Sequence, residues 1–573
     1  MNRKRFVELS TAFAGAIVSV PLSDLPYFYP HSKKTIVSPE DNEVLSADVV
    51  ICGGGLGGCA AALAALRNNL NVILTEETDW IGGQISQQGV PPDEHQWIET
   101  HGATQLYRDF RNSVRQYYKQ NYPLTKTAIE DKYFNPGNGS VSKLCVEPRV
   151  ALAVLLDMLA PFIYSKKLIL LTEYKIEGAD VTGNNVHSLK AFNQLLNKNA
   201  ILTAPYFIDA TELGDLLPLT RTEFITGTES LKETGELHAP EKANPENNQA
   251  FTVCFAIDYI PGEDHRIEKP ENYDFWRTFK PGLKPPWPGK LLDLHYSNPS
   301  NLTSKELAFN PEGADTSPLL NLWTYRRIIN KNNFKPGTFK SDITIVNWPQ
   351  NDFINKNLIG INTDEFKKTI DSAKQLSLSL LYWLQTEAPH PGNGHGWHGI
   401  RLRKDIMGTS DGLAKYPYIR ESRRIKALFT VLEEHVGKEN RALITGKKSD
   451  NTAAGFYDSV GIGYYHIDLH PTCSGNNYID FDSLPFQIPL GALIPERIEN
   501  LIPGNKNLGT THVTNGCYRL HPVEWNIGEA AGSLVAFAIN NKVTPRAVRE
   551  KKNLLEDFQK MIRSQGIETR WPL

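Results

Sequence analysis

Cysteine is scarce in this chain: six residues among 573, at Cys52, Cys59, Cys145, Cys254, Cys473 and Cys517, with no CxxC pair. That spacing argues against thiolate-bound zinc, iron–sulfur clusters and a dense disulfide framework, so any electron carrier must be organic. An excess of basic charge is also missing. Lys and Arg total 61 against 64 Asp and Glu, a net charge of -3, and no long basic run offers itself to nucleic acid, which leaves a small molecule as the expected partner. Past residue 22 no apolar run approaches the ~20 residues of a membrane span, and there is no internal repeat or low-complexity tract.

What is present begins with a leader-like segment. Arg3, Lys4 and Arg5 precede an apolar, small-residue run over 9–22, the layout of an export signal. It resembles a twin-arginine signal with Lys in one arginine position, a route that carries folded, cofactor-loaded proteins, and it implies a periplasmic or secreted location. A polar linker over 23–46 follows.

The next segment is a βαβ unit. An apolar run over 47–52 leads into Gly53-Gly54-Gly55-Leu56-Gly57-Gly58, then the Ala/Leu-rich stretch 59–66, then an apolar run over 71–75 that ends at Glu76 and Glu77. Glycines at 53, 55 and 58 fit G-x-G-x-x-G: a tight turn, close backbone approach to a pyrophosphate, and close helix–strand packing. The helix start faces the phosphates, and Glu76, 18 residues past Gly58, suits a ribose diol. This much means a dinucleotide. Gly82-Gly83-Gln84, resembling the Gly-Gly element after the ribose-binding acid of many FAD enzymes, points to FAD, although Gln84 replaces the commoner Arg.

Near the other end, Gly504-Asn505 follows the short strand 501–502, and Gly528 is expected to open a small-residue helix over 528–538, the pieces that meet the flavin end in flavoproteins of the glutathione reductase-like fold. Asn505 stands where that class often has Asp. Together with the run from Phe207 to Asp215, Tyr418-Ile419-Arg420-Glu421-Ser422-Arg423-Arg424, the run from Tyr465 to Pro471, and Arg519 with His521-Pro522, the chain resembles a broad bacterial family of FAD-dependent oxidoreductases. The resemblance implies an α/β fold: a discontinuous Rossmann-type FAD domain over 47–219 and 486–545, an inserted α+β substrate domain over 220–485, and a C-terminal extension over 546–573. Ala210 and Thr211 join the cofactor-binding set.

Candidate catalytic groups follow from spacing. His466, Asp468 and His470 alternate, so on a strand they share a face; an Asp beside a His sets its tautomer, and His470 becomes the expected base for a substrate hydroxyl. Arg519, His521 and His512 lie between the Gly504 and Gly528 elements, where a cation suits the anionic reduced flavin and either histidine is an alternative base. Helices are expected near 364–386 and 419–435, the second placing Arg420, Arg423 and Arg424 on one face to hold a carboxylate or the pyrophosphate. His390, His395 and His398 sit in a Gly-rich loop, read as a loop and not a metal site. Trp276, Trp287, Trp323, Trp348, Trp383 and Trp397 are read as core ahead of a ring-stacking platform.

The expected activity is hydride transfer between a small alcohol, sugar-like or alicyclic substrate and flavin N5. Electrons would leave to a quinone, a carrier protein or oxygen, since no second glycine fingerprint supplies a nicotinamide site. A flavin-dependent reductase of activated double bonds and a non-catalytic FAD-holding scaffold are the alternatives.

Overall fold

The structure, a computed structural model, describes residues 39–313, 318–390, 394–446 and 452–572. The export signal over 1–22 and the linker as far as residue 38 lie outside the described residues.

Five short strands make a parallel sheet: β1 (Val49–Cys52), β2 (Val72–Glu76), β3 (Leu168–Thr172), β4 (Tyr206–Asp209) and β5 (Leu501–Pro503), in the order β5-β4-β1-β2-β3. Every residue of β1 and β2 is buried, as expected of parallel strands covered on both faces. The two-residue period divides them. Val49 and Ile51 face the core with helix α1 (Leu56–Arg67), while Val50 and Cys52 face a second core. That second core is roofed by a four-stranded sheet of Glu43–Ser46, Tyr174–Thr182, Asn185–Asn193 and Lys198–Thr203. Glu43–Ser46 pairs in parallel with Lys198–Thr203, so the end of the expected linker is a strand.

Four helices matter for the site: α2 (Pro148–Tyr164), α3 (Thr363–Thr386), α4 (His512–Tyr518) and α5 (His521–Asn541). Helix α5 crosses α1 closely because it carries glycines where the backbones meet. A Cβ on Gly528 would stand 1.9 Å from the Gly57 carbonyl, and one on Gly532 would stand 2.2 Å from the Ala61 carbonyl. Gly528 therefore does not open the helix as expected. The helix starts at His521 with Pro522 in its first turn, where a fixed φ and a missing N–H cost nothing, and Gly528 is a packing position.

A third apolar core draws on Leu213 and on residues between 250 and 478, other residues of that stretch packing into the core of the parallel sheet. An antiparallel sheet (Arg327–Ile329, Ile343–Val346, Phe255–Tyr259, Ile400–Leu402) packs with α3. The six tryptophans named above all lie in that core, at most 7% exposed, and form no exposed stacking platform. The expected helix over 419–435 is absent: 419–423 has no regular secondary structure, Arg424–Ile425 is a strand, and only Glu433–Val436 is helical. The C-terminal extension sends Phe558, Ile562 and Ile567 into the core of the parallel sheet. Among the described residues no helix is long and apolar enough to cross a membrane.

Candidate active site

The glycine turn between β1 and α1 needs its glycines for separate reasons. Gly53 has φ +95°, and a Cβ there would strike the Ala210 carbonyl at 2.2 Å; the Ala210 amide in turn donates to the Cys52 carbonyl at 2.7 Å. A Cβ on Gly58 would sit 1.8 Å from the Gly53 carbonyl, so turn and helix close on each other. Leu56 and Gly57 begin α1, and a Cβ on Gly57 would meet the Gly504 carbonyl at 2.0 Å. Gly55 faces side chains instead, Glu212 at 3.1 Å and Glu524 at 3.6 Å from its notional Cβ. It is the position past which a ligand can run.

Glu76 ends β2 beside this turn. Its Oε2 accepts from the Gly54 amide at 3.0 Å and its Oε1 from the Thr78 amide at 2.8 Å. Burial pushes its carboxyl up to about 7, against the pull of those bonds. A pocket here is lined by Gly53, Gly55, Glu76, Glu77, Ala210 and Thr211, which gathers the expected adenosine-end residues in one place. Glu77 also pairs with Lys175 at 3.2 Å. Thr211 is held by Asp209, whose Oδ1 accepts from its amide at 3.0 Å and its hydroxyl at 2.7 Å. Asn505 ties the turn after β5 to this point, its Nδ2 donating to the Thr211 carbonyl at 2.9 Å.

Gly82, at φ +113°, and Gly83, at +53°, turn the chain back over Gly55. Gln84 Nε2 then donates to the Arg519 carbonyl at 3.0 Å and to Glu524 Oε2 at 2.5 Å. Arg519 in turn reaches outward. Its Nη1 donates to the Tyr418 hydroxyl at 2.8 Å and its Nη2 to both the carbonyl and Oδ2 of Asp468 at 2.9 Å.

Asp468 lies in the strand Ile467–Leu469, and His470 follows it. His470 Nδ1 is 2.6 Å from Asp352 Oδ2, and its Nε2 is 3.7 Å from Asp468 Oδ2. Asp352 Oδ1 accepts from Thr252 at 2.5 Å and pairs with Arg420 at 3.0 Å. Burial would raise both carboxyls, but His470 and Arg519 hold Asp468 well below the usual carboxylate range, and Arg420 and His470 lower Asp352. The result is a continuous chain of polar contacts, Arg420, Asp352, His470, Asp468 and Arg519, ending on the carbonyl that Gln84 holds. His466 departs from it and pairs with Asp480 at 2.8 Å.

The other two base candidates are less accessible. His521 is fully buried with both ring nitrogens committed, Nδ1 accepting from the Asp93 amide at 3.1 Å and Nε2 donating to the Val90 carbonyl at 3.2 Å; burial lowers it to about 4. His512 is 3% exposed and bound to Glu421 at 2.9 Å. The three arginines do not pool. Arg420 takes Asp352, Arg423 takes Asp215 at 3.2 Å, and Arg424 takes Glu229 at 3.0 Å and Glu421 at 2.5 Å. The non-helical chain gives each cation its own carboxylate, whereas one helix face would have crowded three like charges.

Asp352, Lys506 and Glu524 join this network and carry no local sequence signal. Asp352 is 118 positions from His470, and only the tertiary fold joins them.

The residues present suit an extended polar dinucleotide. Besides the glycine cradle, buried polar atoms without a hydrogen-bond partner gather along this path: Gln84 Oε1, both Gln88 amide atoms, Glu212 Oε1 and Arg519 Nε. Natural interiors leave few such atoms. Among the described residues no group of three His, Cys, Asp or Glu side chains could hold a metal; the His390 ring lies tilted against Trp397, centroids 4.1 Å apart.

Over 142 residues, 24% of this chain, the sequence is 25% identical to the carotenoid phi-ring synthase of Chlorobaculum tepidum, and the match spans about a fifth (21%) of that protein's length. Among solved structures, it is similar to the L-proline dehydrogenase from P. horikoshii (17% identity, 33% of this chain and 25% of that one, TM-score 0.18). It is also similar to the glycerol-3-phosphate dehydrogenase from Bacillus halodurans complexed with FAD (14% identity, 37% and 40%, TM-score 0.23). Likenesses this slight carry no argument about substrate. The family model described as FAD dependent oxidoreductase matches residues 48–562, and the chain belongs to that family: it is an FAD-dependent oxidoreductase.

Proposed function

We propose that this enzyme oxidises a small hydroxyl-bearing organic substrate by hydride transfer to flavin, with His470 as the base. The observation that carries the reading is the placement of His470 between Asp352 at 2.6 Å and Asp468 at 3.7 Å. Bound FAD supplies a two-electron acceptor. The protein's own groups supply the rest. Asp352 accepts from Nδ1, which fixes the tautomer and leaves Nε2 to take the substrate's hydroxyl proton. Asp468 steadies the imidazolium that forms, and Arg519 keeps Asp468 ionised. The His470 side chain keeps 19% of its surface exposed against 4% for His512, so of the two it is the one substrate can reach.

Gly53, Gly55, Gly58, Glu76, Glu77, Ala210 and Thr211 would hold the adenosine end of FAD, and Gly82, Gly83, Gln84, Gly504 and the start of α5 the flavin end. A glutathione reductase-like subtype is the arrangement this supports: the parallel sheet takes β5 from the far end of the chain, and α5 lies against α1. The basic and apolar segment over 1–22 supports export of the loaded protein.

The test is His470→Gln. With FAD content unchanged, reduction of the flavin by an accepted alcohol should slow by about 10²-fold or more. Unchanged reduction would remove His470 from the chemistry.

A further inference from the structure

Between the Gly53–Gly58 turn and Gly82-Gly83 lie two carboxylates and one ammonium that belong to no glycine fingerprint. Glu524, fully buried, accepts from the Gly57 amide at 3.3 Å through Oε1 and from Gln84 Nε2 at 2.5 Å through Oε2. Lys506 Nζ, also fully buried, is 2.5 Å from Glu212 Oε2 and 3.9 Å from Glu524 Oε2. Glu212 Oε1 has no partner, although the residue is only 9% exposed, and it stands 3.1 and 3.0 Å from the notional Cβ atoms of Gly55 and Gly83. Gln84 Oε1 is unpartnered as well.

The amides that open α1 favour an anion. Here the anion on them is a carboxylate sent across from α5. A pyrophosphate arriving at the same amides brings two negative charges into a buried strip where two carboxylates already face one lysine. Like charges that close cannot all stay ionised away from water.

We propose that Glu524, Lys506 and Glu212 form the phosphate subsite of this enzyme, with Glu524 holding the Gly57 amide in the cofactor-free protein and taking up one solvent proton when the FAD pyrophosphate replaces it. This rests on the FAD assignment and not on the identity of the substrate. The only bond formed is the O–H on Glu524, and the only species consumed is one proton per FAD. Lys506 remains the counterion: burial acts to lower its pKa, but Glu212 and Glu524 outweigh that and keep it raised. The groups facing Glu524 are Lys506 from the turn after β5, Glu212 from the turn after β4, the neutral Gln84, and Cys59 on α1, whose thiol burial pushes up out of the titrating range. Burial already raises the Glu524 carboxyl and Glu212 adds to this, with Lys506 opposing, so the proton has a short way to go.

The test is calorimetric titration of FAD into the cofactor-stripped full-length protein, in buffers of differing ionisation enthalpy, from about pH 6.5 to about pH 8.5. The wild type should take up close to one proton per FAD on the alkaline side, its Kd weakening by up to about tenfold per pH unit. Glu524→Gln keeps the acceptor for Gly57 without the charge; it should bind FAD as tightly or more tightly, with no proton uptake and a flat pH profile. Lys506→Met, which removes the counterion, should weaken FAD binding by about 10²-fold or more. Circular dichroism of each stripped variant separates a folding defect from a binding one. A pH-independent Kd without proton uptake in the wild type, or undiminished uptake in folded Glu524→Gln, would overturn the proposal.

Discussion

Arg519 and Asp468 lie 2.9 Å apart, Nη2 to Oδ2, and the same nitrogen also meets the Asp468 carbonyl. The carbonyl of that arginine is held by Gln84 in the Gly82-Gly83 loop. One residue therefore connects the loop that would cover the cofactor with the strand that carries the proposed base, and the two halves of the site are spaced by a single side chain.

Arg519→Met should cut that connection. Asp468 would be left largely buried with only His470, at 3.7 Å, beside it, and we expect a loss of about 3 kcal/mol in stability. The double variant Arg519→Met/Asp468→Asn removes the stranded charge and should recover more than 1 kcal/mol, roughly, of that loss. Denaturant unfolding of the four proteins in the cycle measures this; additive losses would mean that the pair is not coupled.

Gly528→Ala offers a test of sign. In an ordinary helix interior, Gly to Ala stabilises by about 0.5–1 kcal/mol. Here the added carbon lands 1.9 Å from the Gly57 carbonyl, so α5 must back away from α1. We expect a loss of about 2–3 kcal/mol and of FAD retention, read from melting temperature and the flavin-to-protein absorbance ratio. A stabilised, fully loaded variant would contradict the close crossing.

His521 should appear in the pH dependence of stability. Unfolded, it binds its proton below about 6.5; folded, burial holds it neutral down to about 4. Between those values the unfolded state carries more protons, so stability rises with pH, and the contribution is whole above about 6.5 and lost as pH falls toward 4. It amounts to at most about 3 kcal/mol. The buried Glu76 and Asp209, both raised to about 7, titrate in the opposite sense, so the informative quantity is the difference between the wild type and His521→Gln. The wild type should lose stability faster on acidification between about pH 6.5 and about pH 4.5. Equal slopes would mean that His521 is not held neutral.

Much of the cofactor end was legible because it is local. Gly53 to Gly58, Glu76 and Gly82-Gly83 fall within one βαβ unit and the loop after it, where each residue's task follows from backbone geometry. The flavin end was read less well. His521-Pro522-Val523-Glu524 looks too polar to begin a buried helix, so the start was placed at Gly528, where the small residues gather. The Arg420–Arg424 spacing suited a helix, but spacing could not register that each guanidinium had its own distant carboxylate. His470 and Asp468 stand out by alternation, whereas Asp352 is a single acid in unremarkable surroundings, brought into place only by the tertiary fold.

Glu76→Ala addresses the adenosine end. It removes the carboxylate that receives the Gly54 amide and would meet the ribose hydroxyls. Charge-assisted hydrogen bonds are worth about 1.5–3 kcal/mol each, so FAD affinity should fall about 10- to 100-fold, measured by quenching of FAD fluorescence on binding to stripped protein. An unaltered Kd would place the adenosine elsewhere.

The most direct measurement is anaerobic bleaching of the bound flavin by a panel of sugars, sugar acids and alicyclic alcohols, run side by side on the wild type and His470→Gln. At least one hydroxyl compound should bleach the wild type, with His470→Gln slower by about 10²-fold or more at equal FAD content. Bleaching at the same rate in both proteins, or a flavin that no alcohol reduces but that an enone or enoate reoxidises once photoreduced, would contradict substrate oxidation with His470 as its base.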